Sequence, residues 1–321
     1  MKRRSVSVTG VTGFVGWHLA ESFVRDGWDV RAVVRRGNRK PVPRGATPIE
    51  SDLSRDSLTS AFGGSEVVVH CAALIRAATR SAFDEVNVEG ARAAGAAAAR
   101  TGARLVLVSS LAAGGEGTVD APRAESDLPA PVNAYGWSKL AAEEAVKSIE
   151  RLRWTILRPS AVYGPLDRGF LPLFRMASRG LLLVPSGPDT SFTLIHIADM
   201  TRAARLAAES ARAEGETMFV GHGVPQTGTG VLRAIAAALG RPFRPRHIPV
   251  SLLAAAAAAG DVSWKIGVKP LVDSGRLAEL RARGFVCSVD RARQVLGFEA
   301  TMGFEEGIAE TARWYRERGW L

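Results

Sequence analysis

The sequence predicts a doubly wound α/β fold: a parallel sheet with helices on both faces, followed by a smaller, mostly helical C-terminal substrate lobe. Three observations carry this. Short β-branched runs alternate with amphipathic helical patterns through the first half of the chain. A glycine-rich turn stands at the first strand–helix junction. Beyond Pro159, the prolines at 165, 172, 185 and 188 punctuate short segments before helical patterns resume, as loops that shape a pocket would.

In chain order, the strand candidates are Val6–Thr9, Val30–Val34, Thr47–Glu50, Val67–His70, Leu105–Val108 and Trp154–Leu157. Between them, helical periodicity covers Phe14–Asp26, Arg55–Ala61, Phe83–Thr101 and Tyr135–Arg151. Later helices are predicted over Asp199–Ala211, Gly230–Leu239, Val250–Ala259 and Phe304–Arg318. There is no internal repeat. The alanine-rich stretch Ala91–Ala99 is flanked by arginines and reads as a helix.

The first turn, Thr9-Gly10-Val11-Thr12-Gly13-Phe14-Val15-Gly16, suits a dinucleotide. Gly10 permits the tight turn, Gly13 lets a pyrophosphate approach the backbone, and Gly16 allows close helix–strand packing. Phosphate contacts are therefore expected along Gly10, Thr12, Gly13, Phe14, Val15 and Gly16, where the helix N-terminus offers free N–H groups. Any one glycine could equally serve a plain turn; their placement after the first strand favours the cofactor. This divides the chain into a dinucleotide-binding domain over residues 1–165 and a substrate-binding lobe over 166–321, some of whose segments return to the sheet.

A fold of this type that reads NAD places an acid at the end of the second strand, on the ribose hydroxyls. Here that strand ends in Val34-Arg35-Arg36, with Arg39 and Lys40 following. Guanidinium forks bind a 2′-phosphate, so Arg35, Arg36 and Lys40 point to NADP, with NAD as the alternative. Asp52 and Leu53 can hold and cover an adenine, although Ser51-Asp52-Leu53-Ser54 also reads as a helix cap. The small residues Cys71, Ala72 and Ala73 close the fourth strand and let a cofactor lie against the backbone, as a close-packed strand end also would.

Tyr135 and Lys139 stand one helical turn apart, on one face of a helix. A free phenol has a pKa near about 10, and a neighbouring ammonium is expected to lower it toward a useful range. Such spacing is common on helix surfaces. What distinguishes it here is the order: glycine turn, a fifth strand ending in Ser109-Ser110, then the pair. Ser110 can bond a substrate oxygen beside Tyr135, or satisfy its own loop. Asn87, inside an apolar helical pattern, is placed near the cofactor or in a structural role.

Composition limits the other classes. The charge of +10 comes from 42 basic and 32 acidic residues spread along the whole chain, so no nucleic-acid partner is expected. The longest uncharged apolar run, Val250–Gly260, is mostly alanine, too short to span a bilayer and too weakly hydrophobic to anchor firmly, and no membrane partner is expected. Cys71 and Cys287 supply neither a disulfide framework nor a metal cluster, and the five histidines form no short-range ligand pair. No metal is expected, and with no secretory signal apparent the setting is read as cytoplasmic.

These residues resemble the extended short-chain dehydrogenases, the epimerase/dehydratase group, over nearly the whole chain. The carriers are Thr9-Gly10 to Gly16, Asp52-Leu53, Asn87-Val88-x-Gly90, Ser109-Ser110 and Tyr135-x-x-x-Lys139, then Arg158-Pro159-Ser160-x-Val162-Tyr163-Gly164-Pro165 and Ile195-His196-Ile197-x-Asp199. The resemblance implies a Rossmann fold and a catalytic trio of Ser110, Tyr135 and Lys139, with Tyr135 as acid/base. Pro159, Ala161 and Val162 would line the nicotinamide, with Ser109 beside the cofactor, and a homodimer is implied. The nearer likeness is to 3β-hydroxysteroid dehydrogenases and dihydroflavonol-type reductases. Where nucleotide-sugar epimerases carry an arginine before the His-x-x-Asp element, this chain reads Thr190-Ser191-Phe192-Thr193-Leu194, although Arg168, Arg175 and Arg179 could supply that charge.

The expectation is therefore hydride transfer between NADP(H) and a hydroxyl or ketone carbon of a largely apolar small molecule. The alternatives are a nucleotide-sugar epimerase or dehydratase with bound NAD, and a non-catalytic NADP-sensing regulator. The last commonly lacks the Tyr/Lys pair.

Overall fold

A computed structural model describes residues 3–321. Seven strands form the central sheet: β1 (Ser5–Thr9), β2 (Asp29–Arg35), β3 (Thr47–Ser51), β4 (Val67–His70), β5 (Arg104–Val108), β6 (Trp154–Pro159) and, from the C-terminal half, Glu216–Val220. All pair in parallel, in the order 3-2-1-4-5-6 with the late strand outside β6. A sheet buried on both faces needs apolar side chains on both, which the runs VVVH and RLVLV provide.

On one face lie α1 (Phe14–Arg25) and a later helix, Ile197–Glu209, packed against Val6, Val8 and Val106. On the other lie α2 (Arg55–Phe62), α4 (Gly90–Thr101) and α5 (Ala134–Lys147), packed against Val68, Leu105 and Leu107. The alternation of Leu105 and Leu107 with Val106 and Val108 is the two-residue strand period sorting one run to two cores. The predicted helix Phe83–Thr101 is broken. A short α3 (Arg80–Phe83) runs into a wide π-type turn at Asp84–Glu89 before α4 begins, and this turn carries Asn87 inward.

The remaining elements in chain order are β7 (Ala161–Tyr163), α6 (Leu171–Ser178), β8 (Leu182–Pro185), β9 (Ser191–Phe192), β10 (Leu194–His196), α7 (the Ile197–Glu209 helix), β11 (the Glu216–Val220 strand), β12 (Gln226–Thr227), α8 (Gly228–Ala238), β13 (Pro245–Ile248), α9 (Val250–Lys265), α10 (Ser274–Arg281), β14 (Gly284–Phe285), α11 (Asp290–Leu296) and α12 (Phe304–Glu317). A separate core around Phe174, Ile235 and Tyr315 holds α6, α8 and α12 together. Asp199, at the start of α7, ties this region to the sheet by accepting from the Thr301 and Met302 amides at 3.0 and 2.9 Å. In a doubly wound sheet, ligands bind where strand order reverses. Here that crevice opens between the carboxyl ends of β1 and β4.

Candidate active site

The glycine turn fills one side of the crevice. Gly10 has φ +74°, and a Cβ on it would lie 2.8 Å from the Ala72 amide nitrogen, so backbone conformation and the close approach of β4 both require glycine. A Cβ on Gly16 would fall 2.2 Å from the Gly10 carbonyl, which explains how α1 begins so near the strand. Thr9 knots the two strand ends. Its Oγ1 accepts from the Cys71 and Ala72 amides at 3.2 and 3.3 Å and meets His70 Nδ1 at 2.9 Å. Burial, helped by the Lys139 charge, holds His70 down near about 3, so the ring is neutral.

This turn fits a dinucleotide. No side chain caps α1, and its first-turn N–H groups at Phe14, Val15 and Gly16 lack intrahelical partners. Thr12 and Gly13 are exposed, and a Cβ on Gly13 would touch only the Gly10 carbonyl, at 3.3 Å. The cradle thus opens outward with donors and a favourable dipole.

At the far end of the crevice, Arg35, Arg36 and Lys40 are exposed beyond β2. Arg36 reaches Asp52, beyond β3, at 3.7 Å, while hydrogen bonds from Ser54 hold the Asp52 carboxyl below its ordinary value. Leu53 takes φ +67° and is half-buried beside Asp52. The backbone there is fixed by Ser51 Oγ, which accepts from the Leu53 amide at 3.0 Å. Cys71, Ala72 and Ala73 line the β4 side, half-buried; burial pushes the Cys71 thiol up to about 12, so it is no nucleophile. Pro159 is buried at the end of β6, whereas Ala161 is exposed and Val162 half-buried.

The three candidate catalytic residues come together at the ends of β4 and β5. Asn133 caps α5 by accepting from the Gly136 amide at 2.9 Å. A Cβ on Gly136 would lie 2.4 Å from the Ala112 carbonyl, so glycine alone lets α5 abut the turn that follows Ser110. That contact sets the Tyr135 phenol where the Ser110 hydroxyl acts on it. Lys139 Nζ donates to the Val108 carbonyl at 2.7 Å, one helical turn along.

The electrostatics differ from the sequence expectation. Burial pushes the Tyr135 phenol up to about 12, with Ser110 pulling the other way. Lys139 does not supply the expected lowering: its ammonium is drawn to Val108 and is itself held down to about 8 by burial, against the pull of Glu143. Tyr135 is therefore neutral across the physiological range.

Behind Lys139 lies a network with no counterpart in the sequence reading. Glu143 is 0% exposed and Arg158 4% exposed. Arg158 donates from Nη2 to Glu143 Oε2 at 2.7 Å and from Nε to Oε1 at 3.0 Å, and its guanidinium lies over the Phe219 ring. The Ser109 hydroxyl donates to the same Oε1. Ser109, expected beside the cofactor, thus turns its side chain into this network. Asn87 likewise spends its amide on the protein. Its Oδ1 accepts from the Leu74 amide at 2.7 Å, and its Nδ2 donates to the Leu74 carbonyl at 3.0 Å and to Ser138 Oγ at 2.9 Å. It pins the loop after β4 to α5 and keeps no donor for a cofactor. A Glu four residues past Lys139 was the available clue to the network, but pairing it with Arg158 needs the sheet.

The α9–α10 hairpin reaches the mouth of this site. Asp273 takes Arg76 at 2.8 Å and the Trp264 indole N–H at 3.2 Å; Asn133 donates to Glu279 at 2.8 Å. Two of the three arginines that could have replaced the epimerase charge are occupied elsewhere, Arg168 over the Trp320 ring and Arg175 donating to the Trp320 carbonyl at 3.0 Å, while Arg179 is exposed.

A family model described as the NAD dependent epimerase/dehydratase family matches residues 6–221. The chain is 33% identical to a ceramide reductase of Caulobacter vibrioides, covering 99% of this chain and 96% of that one. It is 31% identical to a 4-hydroxy-2-methyl-3-oxo-4-farnesyl-3,4-dihydroquinoline-1-oxide ketoreductase of Stigmatella aurantiaca, over 94% and 93% of the two chains. Among solved structures it is similar to MoeE5 in complex with UDP-glucuronic acid and NAD, at TM-score 0.76 and 26% identity, over 98% and 99% of the two chains.

Proposed function

The chain belongs to the NAD dependent epimerase/dehydratase family, whose named relatives here are reductases, dehydrogenases and epimerases, and from that premise we propose an NADP-dependent reductase of a ketone on a largely apolar molecule. The observation that carries this reading is the gathering of Ser110, Tyr135 and Lys139 beside the glycine turn. The bound nicotinamide cofactor supplies the hydride chemistry. Tyr135, neutral in the fold, gives its proton to the substrate oxygen while Ser110 donates a hydrogen bond to the same atom. Lys139, cationic below about pH 8 and held by the Val108 carbonyl, would hold the nicotinamide ribose beside them. A neutral phenol is already in the form that ketone reduction needs.

The cofactor preference is supported by Arg35, Arg36 and Lys40, exposed where a 2′-phosphate would sit. The substrate class is supported by Arg168 and Arg175, which are committed to Trp320, and by relatives named for ceramide and for a farnesyl-bearing ring. In this reading residues 1–165 hold the cofactor and 166–321 the substrate, with α7 and β11 returning to the sheet. Trp137, 46% exposed on α5, supports a homodimer through the helices that carry Asn87 and Tyr135, and the cytoplasm stays the proposed setting. The likeness to MoeE5 favours the epimerase alternative, which predicts stabilisation by UDP-sugars. The deciding test is Tyr135→Phe: NADPH-dependent ketone reduction should fall about 10³-fold with NADPH binding retained. Undiminished turnover refutes the assignment.

A further inference from the structure

Seven of the twelve large hydrophobic side chains that stand exposed among the described residues fall between positions 250 and 280. This is the α9–α10 hairpin. Of the sixteen residues of α9 only Ala257 and Gly260 are buried, although the helix is apolar on nearly every side. A helix apolar all round is ordinarily inside something. The concentration is sharpest at the hairpin's tip, Lys265-Ile266-Gly267-Val268-Lys269-Pro270-Leu271. There Ile266, Val268 and Leu271 are 74%, 54% and 60% exposed, with Lys265 and Lys269 exposed beside them.

The basic charge belongs to a wider span, since residues 250–280 alone carry three Lys and Arg against three acids. Residues 241–285 hold eight Lys and Arg against three acids, half of the chain's net +10. Each acid is taken up by the protein: Asp261 by the Ser274 amide at 3.0 Å, Asp273 by Arg76, and Glu279 by Asn133. What faces outward is cationic and aliphatic together.

We propose that the Lys265–Leu271 tip docks on the surface of an anionic lipid bilayer, from which the site draws its substrate. Aliphatic side chains inserted at the headgroup boundary, with lysines against acidic headgroups, give reversible attachment. Protein interfaces are instead anchored by buried aromatic and arginine side chains, which this tip lacks. Among the described residues no helix is long and apolar enough to cross a membrane. The sequence expectation of no membrane partner rested on the shortness and weak hydrophobicity of the alanine-rich run Val250–Gly260, whereas the docking proposed here uses the aliphatic and lysine side chains of the tip beyond it. The geometry gives docking a purpose. Two residues beyond the tip, Asp273 holds the Arg76 loop after β4, and further along α10 Glu279 holds Asn133, the cap of the helix bearing Tyr135. The hairpin therefore runs from the proposed membrane contact to the mouth of the site. The inference rests on the apolar-substrate reading for that purpose, while the binding itself requires no turnover.

The test is flotation of the full chain with vesicles of phosphatidylcholine, alone or with about a third phosphatidylglycerol. Binding to the mixed vesicles, weakened by salt, is expected. The double variant Lys265→Gln/Lys269→Gln should lower partitioning roughly 30-fold. Ile266→Ser/Val268→Ser/Leu271→Ser should abolish flotation while leaving the melting curve and NADPH-dependent reduction of a water-soluble ketone unchanged. Failure of the wild-type chain to float, or unchanged flotation of the triple variant, overturns the proposal. So does a triple variant that changes from dimer to monomer in sedimentation, because the tip would then be a contact between copies. Normal flotation with no turnover of the soluble ketone refutes the reductase reading and leaves docking intact.

Discussion

Beneath Lys139, Arg158 and Glu143 meet in a two-pronged pair sealed from water; at the mouth of the same site, Arg276 and Glu279 meet at 3.4 Å with side chains 53% and 31% exposed. The residue types match and their surroundings differ. In the sheet-borne half, the buried charges of Lys139, Glu143 and Arg158 are each bonded to a neighbour, because an unpaired charge there has no water to turn to. In the hairpin, charges sit in solvent and apolar side chains accompany them outward. Burial organises the first region, and a ligand or a surface organises the second.

The largest expected effect tests the buried side of this contrast. Glu143→Gln leaves the Arg158 guanidinium uncompensated and should destabilise the fold by about 3 kcal/mol in chemical denaturation. If Arg276→Gln in the hairpin cost as much, the contrast would fail; solvent screening should keep that change within about 0.5 kcal/mol.

Next in size is the exposed basic edge of β2, whose cations are proposed to act through a ligand. Arg35→Ser/Arg36→Ser should raise the KM for NADPH about 30-fold, close to 2 kcal/mol, with little change for NADH or in stability. An equal loss with both cofactors would remove the 2′-phosphate assignment.

Lys139 sharpens the comparison from inside the site. Its pKa lies at about 8 in the fold against 10.5 ordinarily, so burial disfavours its charged form. Reductive turnover should be level up to about pH 8 and decline above it as the ammonium loses its proton. Stability carried by this one group moves the opposite way. The lowered value means folding opposes protonation, so its penalty is fully present below about pH 8 and relieved as pH rises toward 10.5. A pH–rate profile that rises above pH 8 would contradict the assignment. The smallest effect belongs to α9: Leu252→Ser, at a position 60% exposed, should shift stability by less than about 0.5 kcal/mol.

Local patterns made much of the first half legible. The six strand candidates all lie in the central sheet, because β-branched runs buried on both faces and bounded by turns have few other uses. The glycine turn was readable for a similar reason: φ +74° and a 2.8 Å approach at Gly10 leave no other residue type. The late strand Glu216–Val220 was not, since it joins the sheet only beside β6, some sixty residues earlier. Nor was the turn of Asn87 into the protein, which depends on the π-type turn that rotates it toward Leu74 and Ser138.

By itself, the sequence determined the first six strands of the sheet, the glycine turn and the helical spacing of Tyr135 and Lys139, all set by steric and periodic rules acting within a few residues. Only the tertiary structure decided what those residues face. The Ser109 hydroxyl meets Glu143, Lys139 meets Val108 and not the phenol, and the apolar face of α9 meets solvent and not a core. Partners distant in sequence set desolvation and hydrogen bonding, and these fix the charge of each group and so its chemistry.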